Sequence, residues 1–100
     1  MLSGMAEIRQ TPVFSAWYAK LGAVEARSRI RVRLRRLELG NPGDVKPVGG
    51  GVSEMRIDFG PGYRIYFVRR GDQVVVLLCG GDKSSQAADI ANAKRLAREN

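Results

Sequence analysis

The sequence predicts a single α+β domain: an N-terminal strand and a two-helix hairpin packed on an antiparallel sheet of about four strands, with a helix closing the C-terminus. Three observations predict it. Apolar residues recur at helical spacing before position 40, strand-like runs divided by glycine turns fill 52–79, and an alanine-rich segment with basic residues ends the chain. One hundred residues, 44% of them hydrophobic, suffice for one modest core and not for two.

Residues 1–5 read as a frayed start. Ala6 to Gln10 is a short strand, and Thr11-Pro12 reads as a helix cap followed by proline at the first helical position, where its missing N–H costs nothing. Phe14, Trp17, Tyr18 and Leu21 then form an apolar stripe of helical period, and Gly22 turns the chain. From Val24 to Leu39 the period alone is ambiguous. Length decides for a second helix, because the run exceeds the usual ~3–10 residues of a strand, and Gly40-Asn41-Pro42-Gly43 supplies its stop. Its arginines 27, 29, 31, 33, 35 and 36, opposed by Glu25 and Glu38, form an electropositive ridge.

Gly40 to Gly51 reads as a loop. Three strands in a meander follow, Val52 to Asp58, Tyr63 to Val68 and Gln73 to Cys79, and the last is apolar enough to be the central strand. Gly80-Gly81 ends it. Ser84 or Ser85 then caps a helix running from Gln86 to about Arg98.

Seventeen Lys and Arg against ten Asp and Glu give a net charge of +7, which favours a polyanionic or acidic partner. The chain holds no histidine, which removes the commonest general base, the commonest zinc ligand and the Ser-His and Cys-His pairs together. No metal and no cofactor are expected. Cys79, alone and inside an apolar run, reads as a buried thiol rather than a nucleophile. No run approaches the ~18 apolar residues of a membrane span, and the start lacks a signal-peptide pattern, so a soluble cytoplasmic protein without membrane contact is expected.

Three local runs carry a family resemblance: Gly40-Asn41-Pro42-Gly43-Asp44; Asp58-Phe59-Gly60-Pro61-Gly62-Tyr63-Arg64-Ile65-Tyr66-Phe67; and Leu77-Leu78-Cys79-Gly80-Gly81-Asp82-Lys83-Ser84-Ser85-Gln86. In this order and spacing they resemble the RelE/ParE superfamily of toxins, in particular its HigB-like addiction-module killer branch, across about residues 6–98. The resemblance implies one RelE-like domain over 1–100. It also implies a type II toxin neutralised by a cognate helix-turn-helix antitoxin, acting most often by cleaving mRNA on the ribosome. A homodimer of the free protein and a toxin–antitoxin heterotetramer both remain open.

Cleavage of RNA without metal needs the 2′-oxygen to attack the adjacent phosphate while fixed cations stabilise the charge that develops. Arg64, which matches the arginine of the family's Tyr-Arg run, is the leading candidate, since a guanidinium binds phosphate with two hydrogen bonds. Strand alternation places Glu54, Arg56 and Asp58 on one exposed face, with Met55 and Ile57 toward the core. Arg56 and Lys83 are the further catalytic cations, and Asp89 the candidate base where relatives carry a tyrosine. Gln86, Tyr66, Glu54 and the helix residues Arg31 and Arg35 are the substrate-binding candidates. Two alternatives compete: a non-catalytic ParE-like inhibitor of DNA gyrase, and a basic module that only binds antitoxin or nucleic acid.

Overall fold

A computed structural model describes residues 5–100. The frayed start expected at 1–5 falls outside the described residues except for Met5, which is exposed. The elements run β1 (Glu7–Gln10), α1 (Pro12–Ala19), α2 (Val24–Glu38), β2 (Val45–Gly49), β3 (Val52–Ile57), β4 (Tyr63–Arg70) and β5 (Val74–Gly81). One turn of 3-10 helix (Lys83–Ser85) then leads into α3 (Gln86–Glu99).

The strands form one sheet in the order β1-β5-β4-β3-β2. The pairs β2–β3, β3–β4 and β4–β5 are antiparallel, while β1 joins β5 in parallel, Glu7 opposite Val74 and Gln10 opposite Leu77. The sheet therefore has one strand more than expected. The extra one, β2, lies in the segment read as a loop; Pro47 is tolerated there because β2 is an edge strand whose outer side needs no donor. The middle position belongs to β4 rather than β5, although both are deeply buried.

Helix α1 begins as the sequence dictates. The Thr11 side chain accepts from the Phe14 N–H at 3.0 Å, with Pro12 in the first turn. The same hydroxyl donates to the Leu78 carbonyl at 2.6 Å. That carbonyl sits at a bulge: Tyr66 pairs with Cys79 and Phe67 with Leu77, leaving Leu78 as the extra residue. The bulge shifts the alternation of β5, so Leu77 faces α1 and α2 while both Leu78 and Cys79 face α3. Gly80 and Gly81 continue the strand instead of ending it.

Both faces of the sheet are covered. Phe14, Ile30 and Leu37 of the helical hairpin pack on Met55, Ile57, Ile65, Phe67, Val75 and Leu77. On the other face, Ala93, Leu96 and Ala97 of α3 pack on Val52, Tyr66, Val68, Val76, Leu78 and Cys79. Asp82 caps the 3-10 turn ahead of α3, its carboxylate accepting from the Ser84 N–H at 2.8 Å, while Ser85 stands at the N-cap position of α3 without a side-chain cap bond to that helix. The Ser85 hydroxyl accepts from the Asp82 N–H at 3.3 Å and donates to Asp89.

Candidate nucleic-acid cleft

Period two puts Val52, Glu54 and Arg56 of β3 on one face with Tyr66 and Arg64 of β4, and the register pairs Glu54 with Tyr66 and Arg56 with Arg64. Met55 and Ile57 occupy the opposite, α1/α2 side. Helix α3 covers this face only as far as Glu54 and Tyr66, both fully buried. The last pair on this face, Arg56 and Arg64, lies beyond the start of α3, and the space over it is open. A cleft of about 510 Å³ forms there, into which Arg56, Arg64 and Lys83 converge, with Asp44 and Asp58 at its border.

Arg64 forms the floor. Its side chain is only 12% exposed, and Nη1 donates to the Gly62 carbonyl at 3.0 Å. Lys83 reaches the cleft from the 3-10 turn. Between them lies Gly62 at φ 80°, where a Cβ would sit 3.4 Å from both Arg64 Nη1 and Lys83 Cβ, so this turn favours glycine for backbone and for space. Arg56 forms the third side and is held by Asp44, Nη2 donating to Oδ1 at 2.9 Å. That hydrogen bond keeps the Asp44 carboxyl below its ordinary range. Asp58 makes no hydrogen bond or ion pair among the described residues, which leaves it the one free carboxylate of the cleft lining.

Arg33, counted in the sequence as part of the basic ridge, has a different task. Its guanidinium donates to the carbonyls of Arg56 at 2.6 Å, Pro42 at 3.0 Å and Asp44 at 3.3 Å. It thereby ties α2 to the end of β3 and to the loop carrying Asp44, and so fixes one wall. Neither Arg33 nor Asp44 is singled out by sequence, because the backbone carbonyls that Arg33 holds and the side-chain bond from Arg56 to Asp44 are contacts that only the fold creates.

Several expected site residues are placed elsewhere. Glu54 and Tyr66 are at 0% exposure and cannot touch a substrate, because α3 roofs the rung that alternation leaves undecided. Glu54 Oε2 accepts from the Tyr66 hydroxyl at 3.0 Å and from Gln86 Nε2 at 2.7 Å, so Gln86 is engaged in the same buried network. Burial, more than this bond, pushes the Tyr66 phenol well above its ordinary range. Asp89 accepts from the Ser85 hydroxyl at 2.5 Å and lies over Gly81, whose Cβ would fall 1.8 Å from Oδ2, so it does not line the cleft. Arg31 and Arg35 belong to the helix on the other face of the sheet. Arg31 donates to the Tyr18 hydroxyl and Arg35 pairs with Glu38. Among the described residues no group of three or more His, Cys, Asp or Glu could hold a metal, and no helix is long and apolar enough to cross a membrane.

The family model described as Phage derived protein Gp49-like matches residues 20–100, which include every residue lining the cleft. The chain belongs to the Gp49-like family. This family is associated with RelE/HigB-like toxins. A Gp49-like chain of this length also has a curated relative, an uncharacterized protein of Haemophilus influenzae, 47% identical over 93 residues that make up 93% of this chain and 94% of the relative. The solution structure of the conserved hypothetical protein HP0894 from Helicobacter pylori superposes with a TM-score of 0.55 at 20% identity. The match covers 80% of this chain and 97% of that one, and it shows a shared fold.

Proposed function

We propose that this Gp49-like protein is the toxin of a type II toxin–antitoxin pair and acts as a metal-independent, ribosome-dependent mRNA endoribonuclease. The observation that carries the reading is the convergence of Arg56, Arg64 and Lys83 in one cleft that α3 leaves open. Two cations on the sheet and one on the 3-10 turn beside it bind a scissile phosphate and stabilise the charge that gathers on its oxygens as the 2′-oxygen attacks. The 2′-hydroxyl gives its proton to Asp58, the free carboxylate of the lining. The bond between phosphorus and the 5′-oxygen breaks, and Lys83 protonates that oxygen, leaving a 2′,3′-cyclic phosphate and a 5′-hydroxyl. The ribosome presents the strand, and a cognate antitoxin in the cytoplasm covers the basic cleft.

Primer extension on mRNA, free and on programmed ribosomes, tests this. Wild type generates new 5′ ends on ribosomes, and Lys83→Ala lowers their yield about tenfold or more, in the range of a lost acid catalyst. Ends at wild-type yield from both Lys83→Ala and Arg56→Ala overturn the assignment of the cleft. A wild-type protein that stops growth without making ends overturns the nuclease reading itself.

A further inference from the structure

Behind the cleft, two buried polar atoms face each other without partners. Glu54 Oε1 and Arg64 Nε are each inaccessible and make no hydrogen bond, and they lie 3.9 Å apart. The other carboxylate oxygen is fixed twice, by Tyr66 and by Gln86. The outer end of the same guanidinium reaches the cleft, with Nη1 on the Gly62 carbonyl. A carboxylate this deep is tolerated only beside a cation, and a charge-assisted N–H···O bond spans about 2.7–2.9 Å, so the pair stands roughly 1 Å short of closing.

We infer that Glu54 is the positioning residue for Arg64: it holds the guanidinium by its Nε edge, orients the Nη edge toward the substrate phosphate, and closes its gap to Nε when an anion enters. This deepens the proposed nuclease reading and rests on it. Glu54 touches no substrate; it acts through Arg64 alone. A carboxylate on the inner edge and a phosphate on the outer edge together satisfy the guanidinium fork, which binds oxyanions along both edges. Tyr66 and Gln86 prevent the carboxylate from turning away, so the β3–β4 rung and the start of α3 jointly set the direction in which Arg64 points.

A double-mutant cycle tests the inference. Wild type, Glu54→Gln, Arg64→Ala and the double variant are compared in single-turnover cleavage on programmed ribosomes. Glu54→Gln is expected to lower the rate about tenfold or more, as for a lost charge-assisted bond, with ribosome affinity unchanged. In the Arg64→Ala background the same substitution is expected to change nothing further, because residues acting as one unit are not additive. Equal factors in both backgrounds, or no effect of Glu54→Gln, overturn the inference. Should Glu54→Gln fail to fold, Glu54→Met/Tyr66→Phe removes both buried polar groups together and enters the same cycle.

If wild type cuts nothing, the nuclease reading fails and the positioning role is read separately, from amide and Arg Nε–H NMR shifts during titration with inorganic phosphate. Phosphate-induced shifts at Arg64 and Lys83 that disappear in Glu54→Gln support it. Shifts that persist unchanged in Glu54→Gln overturn it.

Discussion

The two faces of the sheet are built on different principles. Toward α1 and α2 the contact is apolar throughout its buried cluster, from Phe14 and Ile30 to Phe67 and Leu77. Toward α3 the apolar cluster around Val68, Leu78 and Leu96 gives way, at the helix start, to a buried polar group formed by Glu54, Tyr66 and Gln86 with Arg64 behind the cleft. Burying apolar area stabilises in proportion to area and tolerates small shifts, whereas a buried charge is sharply intolerant of a lost partner. One face supplies stability and the other fixes direction, and the cleft opens on the face that fixes direction.

Crowding the apolar side should have an effect as large as any on the polar side. A Cβ at Gly80 would lie 2.3–2.5 Å from the Trp17 ring atoms, and a ring has nowhere to bend. Gly80→Ala is expected to cost about 3 kcal/mol or more by denaturant unfolding, as severe overpacking does. Gly81→Ala meets the end of the Asp89 side chain instead, so Asp89→Ala should restore part of its loss and should not help Gly80→Ala.

On the polar side, Arg64→Ala strands the Glu54 carboxylate and is expected to cost about 3–5 kcal/mol. Adding Glu54→Gln to Arg64→Ala should raise the melting temperature above that of the single variant; a further drop would show that Glu54 is stable alone. Tyr66→Phe removes one of the two hydrogen bonds to Oε2 and should cost about 1–3 kcal/mol.

Two groups buried under α3 that titrate in alkali make that side the alkali-sensitive one. Burial pushes the Cys79 thiol from 9.0 up to about 12 and raises the Tyr66 phenol as well. Because the folded values lie above the unfolded ones, stability is intact below about pH 9 and falls as pH rises toward 12. Urea midpoints measured from pH 8 to 11 should decline less steeply in Cys79→Ala. The smallest change is expected for Asp44→Asn: its pair with Arg56 is fully formed at pH 7 and weakens only on acidification, but it is exposed and screened, so the melting temperature at pH 7 should scarcely move.

Local chemistry was legible in the sequence and long-range placement was not. Thr11-Pro12 announces α1 because a cap is a contact between neighbours, and the alternation of Glu54, Arg56 and Met55 sorts the faces of β3 correctly. Which face α3 covers, and how far along, is decided by packing between residues 90–97 and the sheet, so Glu54 and Tyr66 read as accessible when they are buried. Strand β2 was hidden by Pro47 and its flanking glycines, whose turn chemistry outweighs two valines in a local reading. The parallel partner of β1 and the bulge at Leu78 leave no local mark at all.

The parallel β1–β5 ladder and the Thr11–Leu78 hydrogen bond join positions 67 residues apart. During synthesis the amino-terminal strand and the hairpin behind it emerge first and must wait for their partner, at about 5–20 residues per second. Lys83 follows β5 directly, so the cleft acquires its last cation only once the sheet that carries it is closed. A nascent chain thus lacks the assembled basic cleft until almost all of it has been made.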